Sequence, residues 1–153
     1  MKLSTKGRYG LRALIDLAQY SENGPVSITN ISGRQDISER YLEQLMAKLK
    51  KAGIVESIRG AAGGYLLAKP MEEISVGEVL RALEGSLEPV ECAGLGPGNG
   101  CSASDICVTK YVWQRINESI NQAVDEIKLE QLVEESKKKQ HTADRVSKTE
   151  CGN

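Results

Sequence analysis

The chain has 153 residues, 40% of them hydrophobic and 27% charged, which fits one globular domain, or a small domain with an appendage. It holds no run of eighteen apolar residues, and its basic start, MKLSTKGRYGLRALIDL, lacks the apolar core and cleavage site of a secretory signal, so a cytoplasmic location without a membrane span is expected. The net charge of −1 hides an asymmetry: residues 1–70 carry eleven Lys/Arg against six Asp/Glu, and residues 71–153 carry nine against fifteen.

A basic first half fits contact with a polyanion. Its elements can be read in order. Leu11, Leu14, Ile15 and Ala18 fall at i, i+3, i+4 and i+7 and predict a helix over about 6–19, ended by Asn23-Gly24-Pro25. Ser27 reads as the N-cap of a short helix through Ile28 and Ile31, with Gly33 near its end. After a turn at Arg34-Gln35-Asp36, Ser38 caps a stronger helix, ERYLEQLMAKLKKAG. Glu39 at its start and Lys48, Lys50 and Lys51 at its end complement the helix dipole, and Gly53 supplies the stop. Leu42, Leu45, Met46 and Leu49 form its apolar stripe.

Two short alternating segments, 54–59 and 65–68, are joined by Gly60-Ala61-Ala62-Gly63-Gly64 and predict a hairpin. Three helices followed by a hairpin make a winged helix-turn-helix, assigned to residues 1–85. Ser75-Val76-Gly77-Glu78 is a capping-box pattern opening a helix through Leu80 and Leu83, which Gly85 to Pro89 ends. A glycine-rich loop over 86–107 follows. A long helix is expected from about Ser104 to Lys128, with Val108, Val112, Ile116, Ile120, Val124 and Ile127 on one stripe. A stripe of that length on a small domain needs a partner surface, and a second copy of the chain is the economical one. With a short turn at 129–133 this makes a dimerisation segment over 104–133. Polar residues dominate 134–153, where disorder is expected.

Three cysteines in the loop, Cys92, Cys101 and Cys107, are spaced C-x8-C-x5-C. Three soft thiolates within sixteen residues suit an iron–sulfur cluster or a zinc ion. Zinc prefers four closed ligands in closely spaced pairs, which this loop lacks. A thiol–disulfide switch needs only two of the three and stays open. Cys151, in the polar tail, reads as a spare thiol.

The polar face of the 38–52 helix offers Ser38, Arg40, Tyr41, Glu43 and Gln44 within two turns of its N-terminus, the part of a recognition helix that meets base edges. Gln bonds adenine, Arg bonds guanine and Glu accepts from cytosine N4; the bland alternative is a solvated helix face. Arg59 precedes the glycine-rich hairpin tip, where an arginine can enter a narrow minor groove.

MKLSTKGRYGLRALIDLA, ISERYLEQLMAKLKKAGIVESIRGAAGGYLLAKP and ISVGEVLRALEG together resemble the Rrf-type winged-helix regulators of bacteria over about residues 1–133. The resemblance implies a mainly α fold with a small β-hairpin wing. It also implies a homodimer on double-stranded promoter DNA, contacts through Ser38, Arg40, Tyr41, Glu43, Gln44 and Arg59, and a dimerisation helix after the cysteine loop. The cysteine triplet points to the branch that holds a 2Fe–2S cluster, with a 4Fe–4S cluster in a nitric-oxide-sensing relative as the alternative; the cysteine-metabolism branch lacks the triplet. Cys92, Cys101 and Cys107 are then the cluster ligands.

The branch's histidine, three residues after the last cysteine, is replaced by Lys110, which when protonated has no lone pair. The aspartate that the nitric-oxide branch recruits from the first helix is replaced by Arg8. The fourth ligand is open among Asp105, Thr109, a solvent or small thiol, His141 and Cys151. The expected function is an iron–sulfur-responsive transcriptional regulator, a repressor of cluster-assembly genes, with assembly proteins as cluster donors. No catalytic constellation appears, so an enzyme is not expected; an electron carrier has only the cysteine loop in its favour.

Overall fold

The computed structural model describes residues 2–91 and 106–150, the last five by backbone alone. Cys92, Cys101, Asp105 and Cys151 lie outside the described residues. Six α-helices and one antiparallel hairpin are seen among them: α1 (Thr5–Tyr20), α2 (Ile28–Gln35), α3 (Glu39–Lys51), β1 (Val55–Ile58), β2 (Gly64–Leu67), α4 (Val76–Glu84), α5 (Thr109–Glu126) and α6 (Leu129–Glu150). The mainly helical, winged architecture agrees with the sequence reading.

Local chemistry sets the helix starts. The hydroxyls of Ser4, Ser27, Ser38 and Ser75 each accept a backbone N–H from the first turn that follows. The capping box at α4 is only half formed: Ser75 accepts from the Glu78 amide at 3.1 Å, but the Glu78 carboxylate pairs with Lys69 instead of returning to the cap. Helix α2 runs through Arg34 and Gln35, which the sequence placed in a turn, and stops at Asp36 in the left-handed conformation with φ of 54°. Short polar side chains tolerate that conformation.

The core sits where α1, α2, α3 and α4 converge. Leu14, Leu17, Ile31, Leu42, Leu45, Met46, Leu49, Ile54, Ile74 and Leu83 are all buried, and Leu129 and Val133 of α6 join them. Each such aliphatic side chain removed from water contributes roughly 1.5–3 kcal/mol before chain entropy is set against it. The stripe read from the 38–52 helix is therefore its core face.

The wing pairs Val55 with Leu67 and Ile58 with Gly64. It is anchored to the segment before α2 by two backbone bonds, Val26 N–H to Tyr65 O at 3.0 Å and Tyr65 N–H to Val26 O at 2.8 Å. A β-carbon on Gly64 would overlap the Val26 carbonyl, so this close approach requires glycine. Gly60, with φ of 120°, turns the tip.

Two expectations are corrected beyond the wing. Helix α5 starts at Thr109, not near Ser104, and ends at Glu126, so Val108 and Ile127 flank it instead of lying on it. Val108 caps it without a side-chain acceptor, so no polar group extends it backward. The chain is helical to Glu150, where disorder was expected after 133. The reason lies in the packing. Leu129 and Val133 are buried, and Gln19 and Glu22 bond Ser136, Gln140 and Lys137 along α1.

Candidate nucleic-acid interface and cysteine site

With Leu42, Leu45, Met46 and Leu49 turned into the core, the opposite face of α3 is forced outward. Ser38, Arg40, Glu43 and Gln44 are exposed. Tyr41 is half-buried: its hydroxyl meets Thr5 Oγ1 at 2.8 Å, and its ring stands edge-on to Tyr9 at 6.2 Å. These contacts fix the start of α1 beside the start of α3. Arg59 is exposed at the wing tip, next to Gly60. The wing is held to the end of α3 by Lys50 Nζ, which donates to Ser57 Oγ at 2.8 Å.

Two cations on this face were not assigned to DNA contact in the sequence reading. Arg8 and Arg12, one turn apart on the exposed face of α1, flank the Tyr9 ring at 6.0 and 5.5 Å. Arg12 Nη2 also donates to the Gln35 carbonyl at 2.8 Å, just before the turn into α3. The signal was present as an i, i+4 basic pair bordering the apolar stripe of that helix. Arg8 occupies the position where a carboxylate ligand was sought, and its guanidinium lies 6.0 Å from the Tyr9 ring centroid.

Asp16 is buried on α1 and bound in bidentate fashion by Arg34 of α2, Nη2 to Oδ1 at 2.8 Å and Nε to Oδ2 at 2.9 Å. Gln35 adds a third donor at 3.0 Å, and the Arg34 guanidinium lies over Tyr20 at 4.0 Å. The hydrogen bond to Asp16 raises the pKa of Arg34, so this cation stays charged. The pair locks the angle at which the helix-turn-helix is presented.

Of the three candidate ligands, the structure describes Cys107, exposed immediately before α5. Its sulfur is 3.2 Å from Thr109 Oγ1. That hydrogen bond, then the backbone amide of Lys110, pulls the thiol pKa down, which favours the thiolate a metal requires. Thr109 is thus brought to Cys107, whereas His141 is exposed on α6. Three thiolates fit the donor chemistry of an iron–sulfur group.

Helix α5 has no fully buried residue: Val112 and Ile116 are 46% and 39% exposed on its apolar stripe, while Ile120 and Val124 pack against the small cluster of Val76, Leu80 and Leu87. Its connection to α4 is polar as well. Arg81 donates to both Asp125 oxygens, at 2.8 and 3.0 Å, and to Asn121. The Arg81 hydrogen bond lowers the pKa of Asp125, and the reciprocal bond raises that of Arg81. Backbone bonds from Val76 N–H to Ile127 O and from Leu129 N–H to Ile74 O, both 2.9 Å, stitch the α5–α6 junction to the start of α4.

Comparison with known proteins follows the same lines. Residues 3–135 match the family model Rrf2, described as iron-dependent transcriptional regulator. The chain is 44% identical over 133 residues to the HTH-type transcriptional regulator IscR of Klebsiella pneumoniae, covering 87% of this chain and 80% of that protein. It is equally similar, 44% over 133 residues, to IscR of Escherichia coli. Among solved structures, that of T. potens IscR is 44% identical with a TM-score of 0.71, covering 89% of this chain and 88% of that one. The global cysteine regulator CymR of B. subtilis is 39% identical with a TM-score of 0.71, covering 88% and 97%.

Proposed function

This chain belongs to the Rrf2 family of transcriptional regulators, and from that premise we propose that it is an IscR-like, iron–sulfur-responsive repressor acting as a cytoplasmic homodimer. Ser38, Arg40, Tyr41, Glu43 and Gln44 of α3 meet base edges in the major groove. Arg59 reaches the adjoining minor groove, and Arg8 and Arg12 hold phosphates beside them. Glu43 rejects sites that offer it no donor. The apolar stripe of α5 pairs with its copy and sets the separation of the two recognition helices.

Cys92, Cys101 and Cys107 hold the cluster, of the 2Fe–2S type on this reading. When bound, the group would tie these three thiolates together only while iron–sulfur supply is adequate. The observation that carries the proposal is the position of Cys107. It directly precedes the helix that Arg81 and the Val76–Ile127 bond fasten to the DNA-binding unit. Ordering at Cys107 is thereby transmitted to α4, and from α4 to α3 through Lys48 Nζ, which donates to the Leu83 carbonyl at 3.3 Å.

The test is anaerobic purification with iron and sulfide counts and an absorption spectrum. Two irons and two sulfides per protomer with visible bands support the proposal. Four of each, with bleaching by nitric oxide, transfer the protein to the nitric-oxide-sensing branch. A colourless protein that resists reconstitution removes the sensor and leaves the DNA-binding regulator. Ala substitution of Cys92, Cys101 or Cys107 abolishes loading while the dimer stays folded; full iron content in those variants overturns the ligand set.

A further inference from the structure

Helix α6 has a divided charge pattern that the regulatory reading has not used. Its first two turns carry Glu130, Glu134 and Glu135, while residues 137–148 carry five Lys/Arg against one Asp. Helix dipoles reward cations only within the last turn. Lys137, Lys138 and Lys139 lie eleven or more residues before the helix end at Glu150, about three turns, so the dipole does not account for them. Consecutive lysines also point in three directions 100° apart, and packing on α1 uses only one. Lys137 pairs with Glu22 at 2.7 Å. The Lys138 side chain is 72% exposed with a 3.4 Å contact to Glu135, and Lys139 and Arg145 are exposed.

The position of this basic half is fixed. Gln19 accepts from Ser136 at 2.9 Å and donates to Gln140 at 2.6 Å, holding α6 along α1. Lys139 then lines a cleft of about 490 Å³ together with Arg12 and Gln35. Gln35 is three residues before Ser38, the cap of the recognition helix, and its carbonyl is held by Arg12. Asp16 and Glu135 line the same cleft, but Asp16 is bound by Arg34 and Glu135 lies 3.4 Å from Lys138. Lys139 therefore stands beside Arg12 as a further cation on the side of the molecule that leads into α3.

We propose that the basic half of α6 is a second DNA-contacting element, one that grips backbone phosphates beside the recognition helix and reads no sequence. The proposal rests on α3 being the recognition helix. Its occupant is the duplex backbone, chosen by charge complementarity and by continuity with the α3 and Arg12 surface. Phosphate contacts of this kind add affinity and salt dependence equally on every sequence.

The test uses the full-length chain with Lys138, Lys139 and Arg145 changed together to Gln, and a second variant with Lys138→Arg and Lys139→Arg. Binding is measured over a salt series to a duplex selected by the wild-type protein from a random pool, and to a scrambled duplex of equal length. The Gln variant is expected to lose affinity several-fold on both duplexes, with the salt slope falling by about 1 for each phosphate contact removed per protomer. The Arg variant is expected to keep the wild-type slope, and circular dichroism to show both folded. An unchanged slope in a folded Gln variant overturns the proposal. Loss confined to the selected duplex also overturns it, because base readout would then be involved. A Gln variant that unfolds leaves the Arg variant to decide: a lowered slope there overturns the proposal. If the wild-type protein itself shows no salt-dependent binding, the recognition-helix reading fails instead.

Discussion

Arg34 and Asp16 form a two-pronged ion pair in which the carboxylate side chain is 1% exposed and the guanidinium 32% exposed. The pair joins α1 to the last turn of α2, just before the turn into α3. Breaking such a pair from one side strands a buried charge and costs about 3–5 kcal/mol, more than the pair contributes relative to apolar packing. Arg34→Ala is expected to lose stability in that range, because Gln35 alone remains to satisfy Asp16. The combined variant Asp16→Leu with Arg34→Leu is expected to recover much of the loss. Urea unfolding midpoints check both; a loss below 1 kcal/mol in the single variant contradicts the burial argument.

Gly77 and Asp125 make the corresponding close approach between α4 and α5. A β-carbon at 77 would overlap the Asp125 carboxylate, and the Arg81 guanidinium also lies 3.0 Å from that position. Gly77→Ala is expected to displace the exposed Asp125 carboxylate from Arg81 and so to cost no more than that ion pair, up to about 1 kcal/mol. Arg81→Ala removes the same pair and costs about the same, because both partners are over a third exposed. Thermal denaturation of the two variants side by side should place them close together; a much larger loss for Gly77→Ala would show that the backbone has to move.

Glu84 carries a pH prediction. Partial burial opposes its ionisation, but the Ser4 hydroxyl and the backbone amides of Gly7 and Ser4 outweigh it and hold its carboxyl below the usual glutamate range. A carboxyl with a lowered folded-state pKa stabilises the fold above its unfolded pKa and loses that contribution as the pH falls through the folded value. The start of α1 is therefore expected to loosen below about pH 4. Glu84→Gln should be less stable than wild type at neutral pH, and the difference should shrink on acidification. Denaturation midpoints at both pH values measure it; a gap that widens in acid gives the wrong sign.

These pairs mark where sequence reading stopped. Periodicity and capping serines located α1 through α4 and the hairpin, because those signals are local and each segment's apolar face has one place to go. Asp16 and Arg34 are eighteen residues apart, and nothing in either neighbourhood says that they meet. The C-terminal half of α6 read as disordered because its own composition is polar. It is helical through Gln19 and Glu22, more than a hundred positions earlier. The exposed face of α3 was legible as the complement of Leu42, Leu45, Met46 and Leu49, whereas Arg8 and Arg12 are brought beside it by tertiary contacts, Tyr9 with Tyr41, Thr5 with Tyr41 and Arg12 with the Gln35 carbonyl.

The recognition residues separate by kind. Arg40→Ala and Gln44→Ala are each expected to cost about 1–3 kcal/mol on a selected duplex and to relax the preference at one base pair. Arg12→Ala should weaken binding to all duplexes alike and lower the salt slope by about 1. Glu43→Ala should admit sequences that the wild-type protein refuses, since removing a carboxylate from the groove removes a repulsion. Selection from a random pool with each variant distinguishes these outcomes, and an unaltered consensus for Glu43→Ala would place that side chain outside the groove.

Ile116 tests the dimer. It is 39% exposed midway along α5, with Val112 one turn before it 46% exposed. Arg115, Ser119, Ile120 and Ala123 border a shallow groove beside it, so a mainly apolar knob has a depression to enter on a second copy. Ile116→Glu leaves the protomer core untouched, because no residue of α5 is fully buried. Across a twofold interface the same substitution sets carboxylates into a shared apolar seam, where burying an unpaired charge costs several kcal/mol. The variant is expected to sediment as a folded monomer with unchanged circular dichroism, and to bind a palindromic duplex far more weakly while keeping its affinity for a half-site. A variant that remains dimeric would remove α5 from the interface, and with it the route by which Cys107 is proposed to reset the spacing of the recognition helices.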